Sequence, residues 1–257
     1  MLRVIQCFFI LSLMFLQACQ PIKDTETPVS KKTDLSRAAS YNTQLGLEYL
    51  KQGDRPRAKS KLLTALKQKP KSPDVNAALA YYFEQTNELD QAKKYYDTAM
   101  KLSPTGAQLN NYGAFLCRQG EYKNAEIYFK KAVEDVQYLN TAAAYENAGL
   151  CSLAIPDDSK ARLFFISALQ HDPSRRESLY ELIKLEMKLS QDNEAFNLLQ
   201  KYSHLVLNDP VLLNAGKNIA IKAGKYEMAL KYKNRLKKLE HNTVNSGVNN
   251  EHNSHNG

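Results

Sequence analysis

Small residues recur through this chain at a nearly constant interval, and that period constrains its fold more than any local propensity does. Ala58, Ala92, Ala125, Ala161, Ala195 and Ala229 follow one another at 34, 33, 36, 34 and 34 residues. Twelve residues ahead of each stands Gly46, Ala80, Gly113, Gly149, Ile183 or Lys217. Seven residues after the first four come Ala65, Ala99, Ala132 and Ala168, with Tyr202 after the fifth; Pro70, Pro104 and Pro173 follow Ala65, Ala99 and Ala168 by five. Between these markers the apolar residues keep helical spacing: Leu45, Tyr49 and Leu50, then Ala58, Leu62, Ala65 and Leu66. Each period therefore reads as two antiparallel helices crossing at small side chains, where a larger one would cost about 1–3 kcal/mol in overpacking. Gly53-Asp54 makes the turn, Asp54 capping the second helix ahead of Pro56. Gly120-Glu121 and Gly224-Lys225 stand at equivalent turns, and Pro70 and Pro104 each close a helix.

This pattern resembles the tetratricopeptide repeat over residues 39–240, with units near 39–72, 73–106, 106–139, 142–175, 176–209 and 210–240. The resemblance implies an all-α fold, a right-handed superhelix (solenoid) of about six helix pairs in which each unit contacts only its neighbours. The chain departs from the family in places. Asn42 and Asn76 replace a frequent aromatic, the fifth and sixth units lack the glycine, and the sixth lacks the closing proline. The last helix carries Lys231, Lys233, Arg235, Lys237 and Lys238, which suits a polar terminal cap.

The two ends differ from the middle. Residues 1–19 read MLRVIQCFFILSLMFLQAC: Arg3, an apolar run too short to span a bilayer comfortably, then Leu16-Gln17-Ala18-Cys19. L-Q-A-C resembles the lipobox of bacterial lipoproteins, which implies a signal peptide over 1–18 and acyl chains, palmitate among them, on Cys19. One chain holds a protein to a membrane only marginally; three make the anchorage permanent. Gln20 in place of Asp implies the outer membrane, at its periplasmic face. Residues 20–38 are polar with two prolines and read with Cys19 as a flexible tether. Residues 241–257 are Asn-, His- and Gly-rich and read as a disordered tail whose His241, His252 and His255 have no scaffold to hold a metal.

Cys117 and Cys151 remain after processing, 34 residues apart on the first helices of the third and fourth units. Adjacent first helices pack side by side, so an oxidising envelope favours a disulfide over two reduced thiols. The formal charge of +8 raises nucleic acid as a partner, but Lys and Arg are dispersed among 27 acidic residues without a dense basic stripe. No G-x-S-x-G, P-loop or H-E-x-x-H occurs, and His171 and His204 lack partnering ligands. The expectation is a protein that is not an enzyme, with no cofactor beyond the lipid, no metal and no small-molecule substrate.

In a stack of such units the first helices line the concave face. Counted from the unit starts, its inward positions include Thr43, Leu47 and Leu50, then Ala77, Tyr81 and Glu84, then Asn110 and Ala114, then Glu146 and Leu150. Small residues leave room there while leucines and tyrosine are apolar, which suits a helix or extended peptide from a protein partner.

Two stretches are more specific than the generic repeat: NNYGAFLCRQGEYKNAEIYFKKAV (110–133) and AYENAGLC (144–151), because ordinary repeats need neither cysteine. Behind an L-x-A-C lipobox they resemble the type IV pilus biogenesis lipoproteins, outer-membrane pilotins of the PilF/PilW type. That resemblance implies a partner, the pilus secretin subunit, and a task, promoting its localisation and multimer assembly. The alternative is a general envelope adaptor scaffolding peptidoglycan enzymes or another outer-membrane assembly machine.

Overall fold

A computed structural model describes residues 28–251 apart from Pro156, with side-chain surroundings over 34–240. Cys19, the signal segment 1–18 and the last residues of the tail lie outside the described residues. The described residues form thirteen helices, with no strand among them. They are α1 (Pro28–Lys51), α2 (Arg55–Gln68), α3 (Pro73–Gln85), α4 (Leu89–Met100), α5 (Gly106–Arg118), α6 (Tyr122–Glu134), α7 (Thr141–Ser152), α8 (Asp158–His171), α9 (Arg176–Lys188), α10 (Asp192–Lys201), α11 (Ser203–Val206), α12 (Pro210–Lys222) and α13 (Tyr226–Glu251). Six antiparallel pairs result: α1/α2, α3/α4, α5/α6, α7/α8, α9/α10 and α12/α13, with the four-residue α11 in the last connection. The helices fall into two compact units, one ending at Lys71 and one beginning at Ser72.

In five of the six pairs the turn uses one device. The second residue past the first helix swings to positive φ, and the next amide reaches back to a carbonyl of the last turn, as Asp54 N does to Tyr49 O at 2.8 Å. Glycine supplies that conformation at Gly53, Gly120 and Gly224, whereas Asn87 and Ser190 adopt it in the second and fifth units. The second helices then start on caps where the sequence offers one. Asp54 accepts from Arg57 N and Asp157 from Lys160 N, each at 3.0 Å. Glu121 makes no cap bond; its carboxylate takes Asn124 and Lys93 instead.

The column of small residues is the seam of each pair. Ala58, Ala92, Ala125, Ala161 and Ala195 are fully buried. A Cβ built on Gly113 would lie 2.9 Å from Phe129, and one on Gly149 would lie 2.7 Å from Phe165, so only glycine permits those crossings. In the sixth pair the crossing residue is Gly216, not Lys217. Its Cβ would meet the Tyr232 ring at 3.2 Å, while Lys217 is half-buried and its ammonium reaches Asn214. The sixth unit therefore has its glycine, shifted by one position.

Two segments expected to lack structure are partly helical. Helix α1 begins at Pro28, so residues 28–38 belong to it rather than to a tether. A proline at the first helical position costs nothing, and extending a formed helix is far cheaper than nucleating one. The Asp34–Arg37 pair and a 3.0 Å bond from Lys69 to Ser36 hold this turn. At the other end α13 continues to Glu251, by the same low cost of propagation from a packed helix.

Candidate functional site

The positions expected on the concave face behave as two populations. In the first unit Thr43 is buried and its hydroxyl donates to Ala39 O at 2.8 Å, while Leu47 and Leu50 are half-buried. In the second, third and fourth units the polar members serve the array itself. Glu84 of α3 accepts from Arg118 of α5 at 2.5 Å and from the Tyr96 hydroxyl at 3.1 Å. Asn110 of α5 is buried and accepts from Asn147 of α7 at 3.0 Å. Glu146 of α7 accepts from Ser178 Oγ of α9 at 2.7 Å, from Ser178 N at 3.2 Å and from Arg175 at 3.2 Å. These three residues tie consecutive first helices together, so their polar groups are committed before any partner arrives.

The apolar members are the ones left in contact with water. Tyr81, Ala114 and Leu150 each follow the crossing residue of their unit by one position and so share one face of α3, α5 and α7. Tyr81 is 44% exposed and Leu150 39% exposed; Ala77 and Ala114 are half-buried. The result is a shallow apolar strip on a frame of interlocked helices. A strip of that kind can hold a side of another protein chain.

Aromatic packing joins the second and third units. Tyr96 stacks on Tyr112 with ring centroids 5.3 Å apart and tilts against Phe115 at 4.9 Å. Burial, and then the carboxylates of Glu84 and Asp97 that accept their hydroxyls, push the Tyr96 and Tyr112 phenols well above the ordinary range. Both therefore stay protonated donors at any physiological pH.

Cys117 of α5 and Cys151 of α7 are joined in a disulfide with their Cα atoms 5.8 Å apart. It crosslinks the third and fourth units on their first helices, where Arg118 and Asn147 also make their bonds. His171 and His204 are exposed, each near a tyrosine ring: His171 stacks on Tyr145 at 5.2 Å, and His204 lies tilted 6.4 Å from Tyr202. Among the described residues no three His, Cys, Asp or Glu side chains converge as metal ligands would. Also among them, no helix is long and apolar enough to cross a membrane.

Sequence reasoning missed two exposed features. Val136 and Leu139 are 96% and 99% exposed in the connection between α6 and α7. The 36-residue step from Ala125 to Ala161 was the available sign that this connection carries extra residues. Tyr226 and Leu230 of α13 are 70% and 56% exposed on a helix expected to be a polar cap.

Known proteins share this construction. The tetratricopeptide repeat family model matches residues 43–107 and 78–140. The type IV pilus assembly protein PilF of Pseudomonas aeruginosa is 34% identical over 160 residues, 61% of this chain and 64% of its own length. An uncharacterised protein of Haemophilus influenzae is 34% identical over 116 residues, 45% of this chain and 65% of that protein. The chain thus spans just under two thirds of the length of both relatives. In structure, Pseudomonas aeruginosa PilF superposes with a TM-score of 0.68 at 28% identity, covering 80% of this chain and 93% of that one. PilW, described as a widely conserved type IV pilus biogenesis factor, gives 0.63 at 27% identity, covering 78% and 92%. Six helix pairs cross at small residues, tetratricopeptide repeats match over residues 43–140, and the helical domain is similar to PilF in sequence and to PilF and PilW in fold.

Proposed function

We propose that this protein acts in type IV pilus biogenesis as an outer-membrane lipoprotein that binds the pilus secretin subunit and promotes its localisation and multimer assembly. The relation to PilF and PilW along the repeat domain carries this reading. Leu16-Gln17-Ala18-Cys19 supports the anchoring half of it. The lipid on Cys19 fixes the location; the repeat domain, with no catalytic role, holds the client. A secretin subunit held in that way multimerises in the membrane instead of aggregating on the way.

The exposed apolar strip of Tyr81, Ala114 and Leu150 is the contact surface this reading uses. Its test is deletion of the gene, followed by electrophoresis of membranes under conditions that preserve heat-resistant secretin multimers. The multimers are expected to disappear or fall sharply, and to return with the wild-type gene in trans. Unchanged multimers and normal pili would overturn the reading.

A further inference from the structure

Residue positions repeat along the array, so the last unit can be compared with the interior ones place by place. The residue following the seam alanine forms an ion pair with the next unit in three interior pairs of the second compact unit. Lys93 pairs with Glu121 at 3.2 Å, Glu126 with Lys160 at 2.9 Å, and Arg162 with the buried Glu186 at 2.6 Å. Phe196, at the same place on α10, packs into the core cluster. Tyr122, three residues before Ala125, joins Glu126 in a narrow crevice closed by Ala148, Cys151 and Ile155 of the next unit's first helix and its turn, and by Phe164 of α8.

On α13 these two places hold Tyr226 and Leu230, and both are open to water. Tyr226 is the counterpart of Tyr122, which is half-buried. Ile221, at the end of α12, is also 48% exposed. The sixth unit thus leaves open the surface that in the third unit, at Tyr122 and Glu126, is closed by the first helix of the next unit. From Lys222 to Glu240 the chain has seven Lys and Arg against two Glu. Lys222, Lys225, Lys233, Lys237 and Lys238 are exposed on the same stretch of chain.

We infer that the sixth unit is a docking site for an amphipathic α-helix of a partner protein, with an apolar stripe and acidic flanks, seated where the first helix of a seventh unit would lie. The repeat geometry sets the shape of the occupant, and the cations set its charge. Like charge disfavours a second copy, whose own end is equally basic. The inference goes beyond the pilus reading and does not depend on it.

The test is fluorescence anisotropy of the full chain with a fluorescein-labelled helical peptide whose leucine and alanine stripe is flanked by glutamates. A twin peptide with lysine for each glutamate is the control. The acidic peptide is expected to bind, with the basic twin at least ten-fold weaker. The double variant Y226S/L230E is expected to bind the acidic peptide at least ten-fold more weakly at unchanged melting temperature, because both residues are exposed. Tyr81→Glu, on the first-helix strip, is expected to leave that affinity unchanged. Equal binding by the double variant, or loss of binding in Tyr81→Glu, would overturn the inference. So would wild-type self-association in sedimentation that the double variant abolishes.

Discussion

The third and fourth units, compared with the sixth, show what a neighbour contributes to a repeat. In the middle of the array α5 and α7 are crosslinked by Cys117–Cys151, Gly113 and Gly149 press against Phe129 and Phe165, and Glu126 is held by Lys160. In the sixth unit the same helix pair crosses more loosely at Gly216, and the face toward a would-be next unit is uncovered at Tyr226 and Leu230. The unit's fold is the same in both places. Its tightness and the chemistry of its outer face depend on whether another unit follows.

The largest way to break that difference is to remove the crosslink. The bridge closes a loop between residues 34 apart, which the chain-entropy account values at about 3–4 kcal/mol. The C117A/C151A variant is expected to melt well below the oxidised wild type, and reduced wild type to behave like the variant. Identical melting curves would mean the two units hold together without the bond.

The seam glycines give opposite signs in the two regions. Gly149→Ala places a methyl 2.7 Å from the Phe165 ring, which is fully buried and cannot retreat, so a loss of about 1–3 kcal/mol is expected. Gly216→Ala meets Tyr232 at 3.2 Å, a distance a small shift of the ring relieves. Alanine also outdoes glycine inside a helix by about 1 kcal/mol, so this variant is expected to be neutral or slightly stabilised. Thermal melts of the two single variants side by side decide it; equal losses would erase the distinction between the regions.

A smaller effect sits at the entrance to the sixth unit. Asp209 caps α12, accepting from Val211 N at 2.8 Å and Leu212 N at 2.9 Å, and pairs with Arg176 of α9. Partial burial raises its carboxyl, but the Arg176 guanidinium and the two amides outweigh that and hold it below the ordinary 3.8. A carboxyl lowered in the folded state adds stability that is whole above 3.8 and fades as the pH falls through its folded value. Asp209→Ala is expected to cost about 1 kcal/mol at neutral pH, with the gap to wild type closing below pH 3.8. A gap that persisted unchanged in acid would assign the loss to packing instead of charge.

The fold was legible because its cause is periodic. One offset between glycine or alanine positions revealed the helix pairs and their number. What escaped had causes that a period does not record. Gly216 lies one residue out of step because Tyr232, rather than Lys233, fills the seam opposite it. Residues 28–38 and 241–251 are helical because they extend packed helices, a cost too low for composition to reveal.

The concave positions were read as available to a partner, yet Glu84, Asn110 and Glu146 are spent on neighbouring helices. That sharing had a visible sign in part: Arg118 stands 34 residues after Glu84, one full period away. The exposed apolar residues of α13 had no sign at all, because exposure there follows from no described helix packing over them rather than from any residue type.

The proposed role, holding a secretin subunit at the outer membrane through a lipid on Cys19, is tested most directly by Cys19→Ser. The variant leaves the repeat domain unchanged while removing the thiol proposed to carry the acyl chain. Fractionated inner and outer membranes, assayed for heat-resistant secretin multimers, are expected to show them lost from the outer membrane or displaced to the inner one. Normal multimers in the outer membrane of the Cys19→Ser strain would contradict the account.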